Sequence, residues 1–122
     1  MKIIVPSSGE DITSKIDDHF SKAKYFIFMD TQKDVWEVFE NEYIHDKHPG
    51  DKIAQKAIDL KTENVIVTHI GPHSFEILSK ANIKVFYFEK GSVKEAIDKL
   101  KRNELAQMFK ANKKHGKLFK ED

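Results

Sequence analysis

The 122-residue chain has no cysteine, a single tryptophan, a single arginine (Arg102), three prolines and five glycines. Without a thiol it can form no disulfide and no thiol nucleophile, and it cannot supply a zinc ribbon or a thiolate-held iron–sulfur cluster from its own side chains. Any metal chemistry falls to carboxylates and to the six histidines. One arginine leaves little scope for the bidentate guanidinium contacts that read guanine or clamp phosphate, so sequence-specific nucleic-acid binding is not expected. No run of about 18 apolar residues is present, and the apolar stretch Met1 to Pro6 is too short for a signal-peptide core. These absences predict a soluble, cytoplasmic protein with no membrane partner. Gly-x-Gly-x-x-Gly, the P-loop and Gly-x-Ser-x-Gly are all missing, which removes the common nucleotide-binding and serine-hydrolase signatures.

What is present is charge, nearly balanced: 21 basic against 20 acidic residues, formal net charge +1. The balance conceals a split. Residues 1–100 carry 14 basic and 17 acidic side chains, whereas 101–122 carry 7 and 3. The length predicts one domain, placed at 1–110, followed by a lysine-rich, flexible tail at 111–122.

Hydrophobic periodicity orders the elements. Ile3-Ile4-Val5 reads as a strand buried on both faces and stopped by Pro6. A long polar loop, Ser7 to Ala23, follows, with a helical turn expected near Ile16 to Phe20. Tyr25–Met29 and Val35–Phe39 flank a polar linker as in a hairpin, the second strand being mixed enough for an edge. The pattern then shifts to helix at Asp51 to Lys61, strand at Val65–Val67, helix from Pro72 to about Lys80, strand at Ile83–Phe88, and a helix capped by Ser92 with Glu95 three residues on. Leu105, Met108 and Phe109 extend the helical spacing, predicting a longer or an additional helix. The order β-β-β-α-β-α-β-α predicts an α/β protein of three layers, built on a mixed five-stranded sheet of order 3-2-1-4-5 with strand 2 antiparallel, the ribonuclease-H-like arrangement. In that sheet the connections leave strands 1 and 4 in opposite directions, and ligands bind beyond the carboxyl ends flanking such a switch point.

The loops expected there carry His19, His69 and His73, and the loop after strand 3, which opens on the same end, adds His45 and His48. Imidazoles suit zinc, copper, nickel and iron better than magnesium. His69, ending a buried strand beside Gly71, is the better placed of these, while His73 at a helix start has a capping role open to it. Gly71 brings free backbone N–H groups to a helix start, a generic anion site. A two-metal nuclease would need a carboxylate within strand 1, and Lys2-Ile3-Ile4-Val5-Pro6 has none.

Three stretches, Val5-Pro6-Ser7, Asp18-His19-Phe20-Ser21-Lys22-Ala23-Lys24-Tyr25-Phe26 and Thr68-His69-Ile70-Gly71-Pro72-His73-Ser74-Phe75-Glu76-Ile77-Leu78, resemble the dinitrogenase iron–molybdenum cofactor biosynthesis family, of NifX type. The resemblance covers about residues 1–105. It implies a ribonuclease-H-like fold and a non-enzymatic role in binding the iron–molybdenum cofactor or an iron–sulfur precursor and passing it to assembly proteins. It also implies that His19, the histidine of the H-F motif, is a cofactor ligand. Ser21-Lys22 stands where the family has Gly-Arg, keeping the charge without the planar fork, and the extension after residue 110 lies outside the pattern.

The expected function is therefore a carrier or binding domain for a metal cluster. His19 and His69 are the metal ligands, and Lys22, His73 and the Gly71 turn hold the anionic group. Cofactor-assembly or redox proteins are the expected partners, and the protein is expected as a monomer or weak dimer. An anion- or partner-binding regulatory module without metal is the alternative, with a nucleic-acid hydrolase as a minor one.

Overall fold

Ile3, Ile4 and Val5 are fully buried because their strand lies at the centre of a sheet covered on both faces. The structure, a computed structural model, describes residues 1–114 and 117–118. Its elements are β1 (Lys2–Ser7), β2 (Tyr25–Asp30), β3 (Val35–Glu40), α1 (Pro49–Asp59), β4 (Asn64–Val67), α2 (Pro72–Lys80), β5 (Lys84–Tyr87), α3 (Val93–Lys101), β6 (Ala106–Met108), and the short pair β7 (Lys113–Lys114) and β8 (Lys117–Leu118). The sheet order is β3-β2-β1-β4-β5-β6. β1 pairs antiparallel with β2 and parallel with β4, β4 pairs parallel with β5, and β6 closes the far edge antiparallel to β5.

The expected order 3-2-1-4-5 with antiparallel strand 2 recurs within this sheet, but the sheet has six strands rather than five. The sixth corrects the helix expected around Leu105 and Met108. α3 ends at Arg102, Asn103 turns into the left-handed region at φ 58°, and Ala106–Met108 then run along Tyr87–Val85. The apolar spacing that reads as helical instead serves an edge strand. Two smaller differences follow from tertiary pairing. β1 continues through Pro6 and Ser7, past Ile3 and Ile4 where it pairs with β4, so the N–H that Pro6 lacks costs no bond to β4. No helical turn forms at Ile16 to Phe20; Ile16 bridges to Ser7 and His19 to His69.

Alternation along the strands splits the core. Ile4, Phe26, Val65, Val67 and Val85 face α1 and α2, which contribute Ile53, Ala54, Ala57 and Leu78. Ile3, Val5, Ile27, Met29 and Ile66 face α3, whose Val93, Ala96, Ile97 and Leu100 cover them. Truncating a fully buried side chain such as Leu78 to alanine costs about 2–5 kcal/mol.

All three helices end alike. Lys61, Asn82 and Asn103 follow the C-caps with φ near 60°. The next residues, Thr62, Ile83 and Glu104, donate their N–H groups back to Ala57, Leu78 and Lys99. Each is a Schellman closure, formed here without glycine. The helix starts are not alike, and that difference shapes the site.

Candidate binding site

α1 and α2 both begin at the carboxyl end of the sheet, on the side where β1 and β4 send their connections in opposite directions. Each starts with proline at its first position, Pro49 and Pro72, and neither N-cap residue, His48 or Gly71, caps the helix with its side chain. The helix-start N–H groups of Gly50, Asp51 and Ser74 therefore receive no N-cap side chain, and the positive ends of two helix dipoles meet there. The two starts touch closely: a Cβ on Gly50 would collide with the Ser74 hydroxyl and press to 3.2 Å from the Ser21 Cβ, which is why glycine stands there. A Cβ on Gly71 would meet nothing within 4 Å, because that residue borders open space.

The space is a cavity of about 360 Å³, lined by the two helix starts together with Phe20, Ser21, Lys47, His69, Ile70 and Lys113. Among the described residues Asp51 is the single acidic lining residue; Lys47 and Lys113 supply positive charge, and His48, His69 and His73 supply imidazoles. The pocket thus offers donors and cations, a composition for an anion.

His19 stands at its rim beside His69. Their backbones form an isolated parallel bridge, Phe20 donates its N–H to the His69 carbonyl at 3.3 Å, and the two rings lie 6.3 Å apart, tilted 40°. An Asx turn, Asp17 Oδ1 accepting from the His19 N–H at 2.9 Å, fixes the approach. His69 Nδ1 lies 3.2 Å from the Asp18 carbonyl oxygen. A carbonyl only accepts, so Nδ1 is the donor of this bond, and in the neutral ring the lone pair is then on Nε2, the arrangement a metal-ligating histidine needs. Although His19 is exposed, the covered part of its ring, and next the charge of Lys113, hold its pKa below that of an ordinary histidine; Asp17 and Asp18 oppose this, and His69 adds to it. Burial and then the charge of Lys22 push the Lys113 ammonium down in the same way. The site is crowded with like charge.

Of the five histidines expected at this end of the sheet, His48, His69 and His73 line the pocket and His19 adjoins it. His45 is exposed and does not line it. His48 is the N-cap of α1, and His73 lies inside α2, two residues after the Gly71 N-cap. Lys22 is exposed and close enough to Lys113 to perturb it. His115 lies outside the described residues. Among the described residues, no group of three or more histidine, aspartate or glutamate side chains is arranged to hold a metal ion.

Residues 111–113, expected in the tail, dock on the loop after β4 and bring Lys113 to the pocket. Ala111 is buried, Asn112 donates through Nδ2 to the Thr68 carbonyl at 2.7 Å and accepts at Oδ1 from the Ile70 N–H at 2.8 Å, and the Asn112 and Lys113 N–H groups both donate to the Ile70 carbonyl. Nothing in the local pattern Lys110-Ala111-Asn112-Lys113 signals this, because its cause is the backbone N–H and C=O groups that Thr68 and Ile70 present to it.

Fold and pocket together define a small three-layer α/β protein with a cationic, donor-rich cavity at its switch point. The chain belongs to the dinitrogenase iron–molybdenum cofactor family, whose profile matches residues 1–103. It is similar over nearly its whole length to a Thermotoga protein assigned as NifB, with 32% identity and a TM-score of 0.77, covering 99% of this chain and 98% of that one. The apo form of the orange protein from Desulfovibrio gigas shares the fold at a TM-score of 0.86 and 22% identity, covering 92% and 96%. A Methanocaldococcus jannaschii protein assigned as a dinitrogenase does so at 0.67 and 21%, covering 90% and 96%. No curated protein gives a significant match. Among the described residues no helix is long and apolar enough to cross a membrane.

Proposed function

We propose that this chain is a non-enzymatic cytoplasmic carrier for an anionic metal–sulfur cluster of the iron–molybdenum type, or for its iron–sulfur precursor. It would receive the cluster from one assembly protein and yield it to another. The observation that carries this reading is the meeting of two helix starts lacking side-chain caps with the His19–His69 pair at one cationic cavity. His69 Nε2 and His19 ligate the cluster at its edge, while Lys22, His73 and the N–H groups of the Gly71 turn balance its charge. A few imidazoles and no thiolate make a grip suited to release.

Family membership supports the class of cargo. The absence of a three-ligand group among the described residues also favours a second reading, an anion-binding regulatory module without metal. The two separate in one experiment. The protein is incubated without oxygen with isolated iron–molybdenum cofactor or its precursor, passed through gel filtration and analysed for iron and molybdenum. The carrier reading expects both metals to co-elute with wild type and to fall in His19→Ala. Equal, negligible metal in the two proteins overturns it. Stabilisation by inorganic phosphate that survives a chelator, with no metal retained, establishes the module.

A further inference from the structure

One residue lining the pocket, Lys113, lies beyond the stretch that matches the family, which ends at residue 103. Asn112 plays the part of a strand partner to the loop leaving β4: it takes the Ile70 N–H on Oδ1 and gives Nδ2–H to the Thr68 carbonyl, while Thr68 in turn is held by its hydroxyl donating to the Phe88 carbonyl at 2.8 Å. The Asn112 and Lys113 amides add two donors to the Ile70 carbonyl. With Ala111 buried, these bonds fix the direction in which the chain leaves for β7. The next side chain, Lys113, is half-buried against the pocket, and among the described residues no carboxylate pairs with it. A half-buried ammonium with no described counter-ion, directed there by four hydrogen bonds on a neighbouring backbone, is costly to the empty protein. A ligand of opposite charge relieves it.

We propose that residues 111–113 complete the binding site: Asn112 is a positioning strap, and Lys113 is the inner cation that selects a multiply charged anion. The inference rests on the pocket being the binding site of the carrier reading, and it adds a specificity residue that the family motif does not contain. A ligand bearing several negative charges gains from Lys113, Lys47 and Lys22 together, whereas a singly charged one gains little from three cations it cannot contact at once.

The test is equilibrium dialysis, without oxygen, of full-length wild type, Lys113→Met, Lys113→Arg and Asn112→Ala against isolated iron–molybdenum cofactor, and in a second arm against inorganic phosphate. Methionine keeps the stem and removes the charge. At low salt Lys113→Met is expected to weaken binding about tenfold, the difference narrowing as salt rises, with Lys113→Arg near wild type. Asn112→Ala is expected to weaken binding by a similar factor and to speed hydrogen exchange at the Ile70 amide. The double variant is expected to be no weaker than Lys113→Met alone, because the strap acts through the lysine. Wild type that binds phosphate but no cofactor overturns the carrier reading alone, and the Lys113 comparison is then decided in the phosphate arm. Equal binding by wild type and Lys113→Met at every salt concentration overturns this inference alone. Equal binding by wild type and Asn112→Ala overturns the strap. Wild type that binds neither probe overturns both readings.

Discussion

α3 and α2 have the same length and the same Schellman closure, yet they begin in opposite ways. At α3 the Ser92 hydroxyl accepts from the Glu95 N–H at 3.0 Å, the Glu95 carboxylate accepts from the Ser92 N–H at 2.9 Å, and the next two donors, Val93 and Lys94, are taken by the carbonyls of Ser14 and Ile12. Its donors are used by the fold itself. At α2 the N-cap is Gly71, with no side chain to give, and α1 begins likewise on His48 with no side-chain cap. One face of the sheet thus has a helix start closed by its N-cap, and the other has two that lack a side-chain N-cap and converge on a cavity. Evenly distributed capping would be more stabilising; in the proposed carrier reading the asymmetry leaves donors for a ligand.

Removing the ligands should have the largest effect. In the double variant His19→Ala with His69→Ala, retention of isolated cofactor after gel filtration is expected to fall on the order of a hundredfold, about tenfold for each imidazole, with the melting temperature barely moved. Closing an open start comes next. Gly71 has φ −79° and ψ 167°, backbone that any residue can adopt, with room for a side chain. Gly71→Asp caps α2 and places a negative charge at its dipole, so stability should rise by about 0.5–1 kcal/mol while cofactor binding drops about tenfold, as read by thermal melts and dialysis. Opening the closed start is the mirror image. Ser92→Ala should cost about 1 kcal/mol of stability, roughly 4 °C in melting temperature, and leave cofactor binding unchanged.

The smallest effect is a titration. His19 titrates below the ordinary histidine value in the folded protein, first through burial and then through Lys113. The unfolded chain therefore takes up this proton at higher pH than the folded one, so stability is lost as pH falls from the ordinary histidine value through the depressed one. Imidazole resonances followed by NMR should show the depressed value in wild type and a partial return toward the ordinary one in Lys113→Met. No change in Lys113→Met would mean that residues 111–113 do not approach the site in solution.

Much of this was legible in the residues. Ser92 and Glu95 carry the α3 cap at their fixed spacing, and the β-branched runs Ile3–Val5 and Val65–Val67 mark the central strands. The alternation that follows fixes their parallel order, and with it the end of the sheet where four of the histidines assemble. The rest depended on partners distant in sequence. Ala106–Met108 have no strand propensity of their own and become β6 because β5 presents an open edge and Asn103 stops the preceding helix. Asn112 and Lys113 join the site because the backbone of Thr68–Ile70, more than 40 residues earlier, has donors and acceptors to offer. Pro49 at the start of α1 was a readable signal, and it moves that helix two residues ahead of the apolar stripe that suggested Asp51.

Central to the proposed function is that α2 starts without a side-chain cap so that an anionic cluster can bind there. Its most direct test is anaerobic cofactor binding by Gly71→Asp measured beside wild type, with the thermal melt of each. The account predicts a variant that melts higher and binds about tenfold more weakly. A variant that melts higher and binds the cofactor as well as wild type would contradict it.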